Sequence, residues 1–385
     1  MPASKLFIFL AAWLLCGSCV ELYEPELEES QEVLVISGMI SDSPGRHEVK
    51  VSLSSDYSFP EFIGVEHCVV NASDQDGNLI HYNDEGEGVY AADVPESFLE
   101  VGDAASLYVL VPVRGEYRSS YDTILPCPEI DSIYWEFEIM ETSDPEKSLP
   151  GIQFYLDMSG SHSDSRNMIW RVNETWEYWA SLFGNKIMWS VGHVEDFLSR
   201  EIFKCWKSYP LDHIYTGSTR NLSSNELRKV TLNFVSNKTD RLQVTYSLQV
   251  QQQSLSLGAY DYWQRMNEQA TGSGGMFEIQ PASVAGNIYP VDELEVAVLG
   301  YFYASQVREQ RIFVHNNNFF DFYIPHIDCE YELLSTLWRT GNIKYPIYIN
   351  APGPFQPSLS GPQECFDCRL QGGDTIRPVN WETWP

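Results

Sequence analysis

Short runs in which apolar and polar residues alternate dominate this chain. The first such runs lie at residues 33–40, 47–54, 65–73, 88–93 and 106–113. Successive side chains of a β-strand point to opposite faces, so this alternation predicts strands that are buried on one side. Asp76-Gly77 separates two of the runs and is typical of a tight hairpin turn. We therefore predict an N-terminal immunoglobulin-like β-sandwich over residues 33–126.

Leu125-Pro126-Cys127-Pro128 interrupts the alternation and marks a boundary, after which residues 127–385 form a larger β-rich domain. Its strand-like runs lie at residues 151–158, 167–179, 229–235, 241–253, 296–305 and 310–316. The predicted fold class is therefore mainly β.

Residues 256–270 break the strand period and predict the principal helix of the second domain. Ser256 can cap this helix, and Tyr260, Trp263 and Met266 recur at helical spacing. Gly272 and Gly274-Gly275 are suited to end it. A second, shorter helix is expected within residues 328–341.

The N-terminus predicts export. Lys5 precedes ten apolar residues, 6–15, whereas a membrane-spanning helix needs about 20. Gly17 and Ser18 precede Cys19, a pattern typical of a bacterial lipobox. We predict cleavage after Ser18, which makes residues 1–18 a signal peptide, and lipid such as palmitate on Cys19. An ordinary secreted protein and an uncleaved membrane anchor are the alternatives.

Charge restricts the partners of the mature chain. The formal net charge is -30, and removal of residues 1–18 deletes one Lys and no acid, which makes it -31. Nucleic-acid binding needs basic patches, so nucleic acid is excluded as a partner. Residues 19–32 are acidic and without a hydrophobic period, so we predict a flexible tether. The lipid would anchor the protein, because anionic lipid gives such a chain no electrostatic help.

Six cysteines remain after processing, and an exported chain meets oxidising conditions that favour disulfides. Cys365 and Cys368 have metal-ligand spacing, but the location favours bridges over zinc. Residues 351–364 are rich in Pro and Gly and offer few apolar side chains to hold the tail. We therefore favour a long-range bridge from Cys365 or Cys368, with Cys205 as first partner and Cys329 as second.

Four tryptophans lie between residues 170 and 189, and their positions separate them into two pairs. Trp170 and Trp176 have the same parity, so one strand face can bury both. Trp179 breaks that parity and Trp189 follows a Gly184-Asn185 turn. These last two are the candidates for contact with a ligand or partner, because exposed aromatic side chains dominate binding hot spots.

Catalytic motifs are missing from the sequence. The eight His residues are scattered, and neither a His-Glu-x-x-His, a Gly-x-Ser-x-Gly nor a phosphate-binding glycine loop occurs. We therefore predict a non-enzymatic protein with no metal and no cofactor.

Several stretches in order resemble one known family. They include "VLVISGMISDSPGRHEVKVSLS", "NETWEYW", "LGAYDYWQRMNEQA" and the closing "CFDCRLQGGDTIRPVNW". Together they resemble the domain of unknown function 4249 family, lipoproteins of the Bacteroidota outer membrane. The resemblance implies a place beside TonB-dependent transporters, whose genes often neighbour the family's. It also implies that acids after the lipid cysteine, here within residues 21–29, direct the protein to the cell exterior.

The expected function is that of a surface-exposed outer-membrane lipoprotein, a non-enzymatic accessory or ligand-presenting partner of a TonB-dependent transporter in nutrient uptake. A cell-surface hydrolase acting on glycan or peptide is one alternative, and an adhesin is another. A deep pocket with converging carboxylates would favour the hydrolase. A broad exposed aromatic surface would favour the partner protein.

Overall fold

The structure, a computed structural model, describes most of the chain beyond the N-terminal segment. The described residues are 32–55, 61–142, 148–196, 200–272, 284–292, 296–316, 329, 331–341, 343–351, 353 and 357–381. The signal peptide, Cys19 and the tether up to residue 31 therefore lie outside the described residues.

Strands dominate the described part, so the predicted mainly β fold class is confirmed. In chain order the strands are β1 (Leu34–Ser41), β2 (Gly45–Leu53), β3 (Ile63–Gly64), β4 (Val69–Asp74), β5 (Leu79–Asp84), β6 (Val89–Val94), β7 (Ala104–Val111), β8 (Gly115–Ser119), β9 (Asp122–Thr123), β10 (Glu129–Met140), β11 (Leu149–Gly160), β12 (Asn167–Trp179), β13 (Lys186–Ser190), β14 (His193–Asp196), β15 (Lys204–Pro210), β16 (Tyr215–Ser218), β17 (Asn225–Ser236), β18 (Thr245–Ser254), β19 (Ile288–Pro290), β20 (Val298–Leu299), β21 (Phe302–Ser305), β22 (Val307–His315), β23 (Glu332–Leu333), β24 (Ile347–Asn350) and β25 (Leu359–Ser360). The α-helices are α1 (Arg200–Phe203), α2 (Leu257–Gly272) and α3 (Leu334–Thr340), and 3-10 turns lie at Asp240–Leu242, Gln363–Cys365 and Cys368–Gln371.

The first sheet runs in the order β19-β8-β7-β4-β5-β6-β2-β1-β20, with β21 beside β1, β3 beside β2 and β9 beside β7. Ile36 of β1 and Leu107 of β7 are far apart in this order, yet both belong to one buried cluster. The sheet therefore folds over on itself and encloses its apolar face, as a sandwich does. The immunoglobulin-like topology stays a prediction.

Three strands of the first sheet come from late in the sequence. β20 and β21 pair in parallel with β1, and β19 pairs with β8. Phe302 of β21 is fully buried in the first core. The chain passes Gly300 so closely that a Cβ there would lie 1.9 Å from the Ile36 carbonyl oxygen. The first body thus contains β19, β20 and β21 in addition to the strands between residues 33 and 126.

The second body is a pair of packed sheets. One has the order β10-β11-β17, and the other has the order β15-β12-β18-β22 with β16 also on β12. Phe154 and Tyr246 stack between the sheets, with ring centroids 5.4 Å apart. Trp170 is fully buried in the same core, where its indole N–H donates to Gln252 Oε1 over 2.8 Å.

Helix α2 lies over the junction of the two bodies. Ser256 Oγ accepts a hydrogen bond from the Ala259 N–H over 3.3 Å, as the side chain of an N-cap residue does. The Tyr262 ring packs at a tilt against the Tyr301 ring with centroids 5.0 Å apart, and Ala259 is fully buried. The helix predicted at residues 256–270 is thus present, within one residue at its start.

A fourth sheet, built from short strands, has the order β14-β13-β24-β25-β23. Helix α3 lies beside it and ends at Gly341, whose backbone is left-handed with φ 69°. A glycine in this conformation is a usual helix terminus. We call these strands and α3 the tail sheet. Its buried side chains form two small clusters, around Tyr348 and Ile347.

Candidate functional site

The structure separates the four tryptophans by exposure. Trp170 and Trp176 are 0% and 4% exposed and belong to the second core. Trp179 and Trp189 are 45% and 47% exposed. The first pair therefore contributes to packing, whereas the second pair is available at the surface, where contact with a ligand or partner stays a prediction.

Trp179 lies in a group of aromatic side chains that we call the aromatic patch, defined by Trp179, Phe183, Phe203 and Lys204. The ring centroids of Trp179 and Phe203 are 5.8 Å apart, and those of Phe183 and Phe203 are 5.5 Å apart. Phe183 is 46% exposed, close to the value of Trp179. The patch is therefore a continuous apolar surface with a cation at its edge.

Pairing between strands brings the patch together. Trp179 is the last residue of β12 and lies directly opposite Lys204, the first residue of β15. Opposite residues of antiparallel strands project on the same face. The Lys204 ammonium accordingly lies 5.6 Å from the Trp179 ring centroid. The Ala180 N–H donates to the Phe203 carbonyl over 2.7 Å. This hydrogen bond holds the residue after Trp179 beside the residue before Lys204.

A buried carboxylate fixes the orientation of Trp179. Glu177 is 5% exposed and accepts from the Trp179 indole N–H over 2.8 Å. It also accepts from Lys204 Nζ over 2.9 Å and from the Trp381 indole N–H over 3.2 Å. A buried charge is tolerated when its oxygens are paired in this way. Because the carboxylate cannot move freely, the exposed indole above it is held in one orientation.

The loop after Trp179 is held by the C-terminal part of the chain. The Leu182 N–H donates to the Cys365 carbonyl over 2.8 Å, and the Asn185 N–H donates to the Ile349 carbonyl over 3.0 Å. The Asn185 side chain also donates to and accepts from the backbone of Ala351, both over 2.8 Å. Phe183 therefore projects from a loop with fixed ends.

Two disulfides secure this support. Cys205 bonds Cys368 and Cys329 bonds Cys365, each with Cα atoms 5.8 Å apart. The two cysteines of the Cys-x-x-Cys stretch thus take different distant partners, and Cys205 is one of them. No group of three or more His, Cys, Asp or Glu side chains suited to a metal ion occurs among the described residues.

Cys68 and Cys127 are free and buried thiols. Burial raises the pKa of the Cys127 thiol to about 12 and also raises the pKa of Cys68. A thiolate is the reactive form of cysteine, so neither group is prepared for chemistry at neutral pH.

Trp189 occupies a different surface, the hairpin of β13 and β14. Its indole N–H donates to Glu195 Oε2 over 3.0 Å, and His193 lies 3.0 Å from the other oxygen of Glu195. These hydrogen bonds, that of Trp189 foremost, hold the pKa of Glu195 below its usual range. Trp189 is therefore a second exposed aromatic, presented by a hairpin of the tail sheet.

Glu174 is the other buried carboxylate of β12. It is 1% exposed, pairs with Arg241 over 2.9 Å and accepts from the Tyr246 hydroxyl over 2.9 Å. Burial and this carboxylate raise the pKa of Tyr246. Glu174 and Glu177 are three positions apart on one strand, so they face opposite sides of the sheet and do not converge.

Sequence reasoning missed most of the patch. Phe203 and Lys204 became neighbours of Trp179 only through the pairing of β12 with β15, and Glu177 and Trp381 are 204 residues apart in the chain. The parity of Glu177 with Trp179 is the one signal that could have indicated the supporting carboxylate.

Cys19 lies outside the described residues, so the structure places no lipid site. In the part of the chain that the structure describes, every helix is too short or too polar to cross a bilayer.

Comparison with known proteins identifies the family and little else. Among solved structures, the chain is similar to trypsin-activated alpha-2-macroglobulin from Escherichia coli, with 8% identity and a TM-score of 0.20. That match covers 59% of this chain and only 15% of the other. No curated protein matches the chain. A family model described as "Domain of unknown function (DUF4249)" matches residues 20–311, and the chain therefore belongs to the DUF4249 family.

Proposed function

We propose that this chain is a surface-exposed outer-membrane lipoprotein that docks, without enzymatic activity, on a TonB-dependent transporter and assists nutrient uptake. The aromatic patch is the observation that carries the proposal. The lipobox at Cys19, the acidic residues that follow it and the resemblance to outer-membrane lipoproteins support the location.

The patch has the properties of a binding hot spot. Tryptophan and other large aromatics supply much of the energy of protein interfaces when they stand in a fixed orientation. The support from Glu177 and from the tail means that little conformational freedom remains to be lost on binding. Lys204 and Glu177 neutralise each other, so the patch is locally uncharged on a chain of net charge -30.

A pull-down from solubilised outer membranes, followed by mass spectrometry, tests the docking. The wild-type protein should recover a TonB-dependent transporter, and the double variant Trp179→Ala/Phe183→Ala should lose it. A hot-spot truncation costs about 2 kcal/mol, which is about 30-fold in affinity. Leu79→Ala is the matched control, since Leu79 is 54% exposed and lies on β5 of the first sheet. Equal recovery by the double variant and the wild type would contradict the docking role.

The anchor is tested separately. Cys19→Ala should release the protein from membranes, and persistence of the variant in the membrane after a carbonate wash would argue against lipid attachment. Neutralising the acids of residues 21–29 should leave a lipidated protein that faces the periplasm. Protease added to intact cells would then no longer digest it.

A further inference from the structure

The tether enters the folded protein at one identifiable end of the first sheet. Glu32, the first described residue, accepts at its carbonyl from Arg114 over 3.4 Å, and its carboxylate lies 3.5 Å from the same guanidinium. Arg114 belongs to the turn between β7 and β8. This turn and the start of β1 therefore lie together where the chain arrives from Cys19.

Exposed apolar side chains gather at that end. We call them the tether-end surface, defined by Phe62, Ile63, Val113, Val291 and Val296, which are 57%, 37%, 107%, 44% and 46% exposed. They come from four separate segments of the chain. Single exposed apolar residues are ordinary, but several from distant segments at one end need a reason.

The strand register places these residues around the start of β1. Leu34 pairs with Leu53 on one side and with Val298 on the other, and Leu53 pairs with Ile63. Neighbouring strands are about 4.8 Å apart, so this row is about 14 Å wide. The Val291 N–H donates to the Glu116 carbonyl over 2.8 Å, which puts Val291 beside the β7–β8 turn.

Val113 is the most informative member. It is fully exposed at the tip of the β7–β8 turn and has a left-handed backbone with φ 67°. A branched side chain rarely adopts this conformation, and glycine or asparagine would occupy the position with less strain. An exposed valine contributes nothing to the fold there, so a contact outside the protein is the simplest use for it.

We propose that the tether-end surface rests on the lipid bilayer that holds the anchor at Cys19. The inference depends on the lipid attachment in the proposed function and adds an orientation to it. Glu32 lies thirteen positions after Cys19. A chain of that length reaches about 45 Å when fully extended, and its root-mean-square span is about 20 Å when it is flexible. The surface is thus kept close to the bilayer.

Charge indicates which lipid chemistry suits the surface. Glu61 and Asp292 are exposed beside Phe62 and Val291, and the charge of Arg114 is balanced by Glu32. Acidic neighbours repel anionic head groups, whereas aliphatic and aromatic side chains enter the interface of neutral ones. The occupant is therefore a zwitterionic lipid surface.

Site-specific fluorescence on the lipidated full-length protein tests the orientation. Val113→Cys and Val296→Cys would each carry an environment-sensitive fluorophore, and Cys68 and Cys127 do not compete for it because they are buried. The protein is reconstituted into phosphatidylcholine vesicles that contain a lipid-borne quencher. Leu79→Cys is the control, since Leu79 is also exposed but follows β4 at the opposite end of the sheet, where Asp74 pairs with Ala105.

Labels at residues 113 and 296 should be quenched several-fold more strongly than the label at residue 79. Equal quenching at all three positions, in protein that floats with the vesicles and carries acyl mass on Cys19, overturns the orientation and leaves the anchor intact. Absence of the acyl mass or of flotation overturns the lipid attachment and the orientation with it.

Discussion

The first sheet and the tail sheet are stabilised in different ways. The first sheet encloses a large core with many fully buried side chains, and its cysteine Cys68 is a free thiol. The tail sheet has strands of two to five residues and two small apolar clusters. Beside it, Cys329 before β23 and Cys365 after β25 are bonded to each other. The Cys329–Cys365 bridge thus occurs where apolar burial is small, as bridges do in small secreted domains.

The comparison also concerns function. The aromatic patch lies next to the tail sheet and depends on it, because Asn185 bonds to the backbone of Ile349 in β24 and Leu182 bonds to the backbone of Cys365, shortly after β25. A small sheet without bridges would give this support poorly. The disulfides therefore stabilise the part of the chain that supports the candidate binding surface.

Removing the disulfides should produce the largest effect. The pair Cys205→Ser/Cys368→Ser opens a loop with a sequence separation of 163 residues, and Cys329→Ser/Cys365→Ser opens one of 36. Chain entropy predicts losses of about 5 and about 4 kcal/mol in the free energy of unfolding. Urea denaturation measures both. Reductant should reproduce the combined loss in the wild type and change nothing in the quadruple variant. A loss below about 1 kcal/mol in Cys329→Ser/Cys365→Ser would contradict the contrast between the two sheets.

Core truncation should have the next largest effect and should differ between the sheets. Ile36→Ala removes a fully buried side chain from the large core, at a cost of about 3 kcal/mol to the whole protein. Ile347→Ala, with the bridges intact, should loosen β24 and leave the first sheet unchanged. Hydrogen exchange distinguishes the two results. Faster exchange in β2 of Ile347→Ala would show that the sheets unfold together.

Replacing the free thiols should lower the free energy of unfolding by a smaller amount. Cys68→Ala and Cys127→Ala should each cost about 1 kcal/mol, because a small buried group is lost without a bridge. Both thiols should resist an alkylating reagent at neutral pH until the protein unfolds, since burial raises the pKa of each. Counting alkylated cysteines with and without denaturant is the measurement. Rapid native labelling of either residue would place it outside the core.

Lowering the pH should give the smallest change in stability, through protonation of His47 in the first sheet. Burial lowers the pKa of His47 below the ordinary value of 6.5, so the folded state holds it neutral. As the pH falls, the unfolded chain binds the proton before the folded protein does. The contribution of His47 to stability is therefore complete above its pKa in the unfolded chain, and it is lost as the pH falls through its pKa in the folded protein. The melting temperature should decrease as the pH is lowered from neutral to mildly acidic, and by less in His47→Gln. Identical decreases in both proteins would remove His47 as the cause.

Several elements could be predicted because they depend on local pattern. β12 covers Asn167–Trp179, the range that alternation indicated, and Asp76-Gly77 does lie in the turn between β4 and β5. Helix α2 begins directly after its predicted cap, Ser256. Each depends on neighbours within a few residues, where side-chain period and backbone preference act directly.

The sequence alone therefore determined the β class, the principal helix, the family resemblance and which tryptophans suit a core strand. Only the tertiary structure decided that β19, β20 and β21 complete the first sheet, that Cys329 bonds Cys365, and that Glu177 holds Trp179 beside Lys204. The physical reason is separation along the chain. Alternation specifies which face of a strand is apolar, but many partners could cover that face. Packing and hydrogen bonding of the whole chain select one of them.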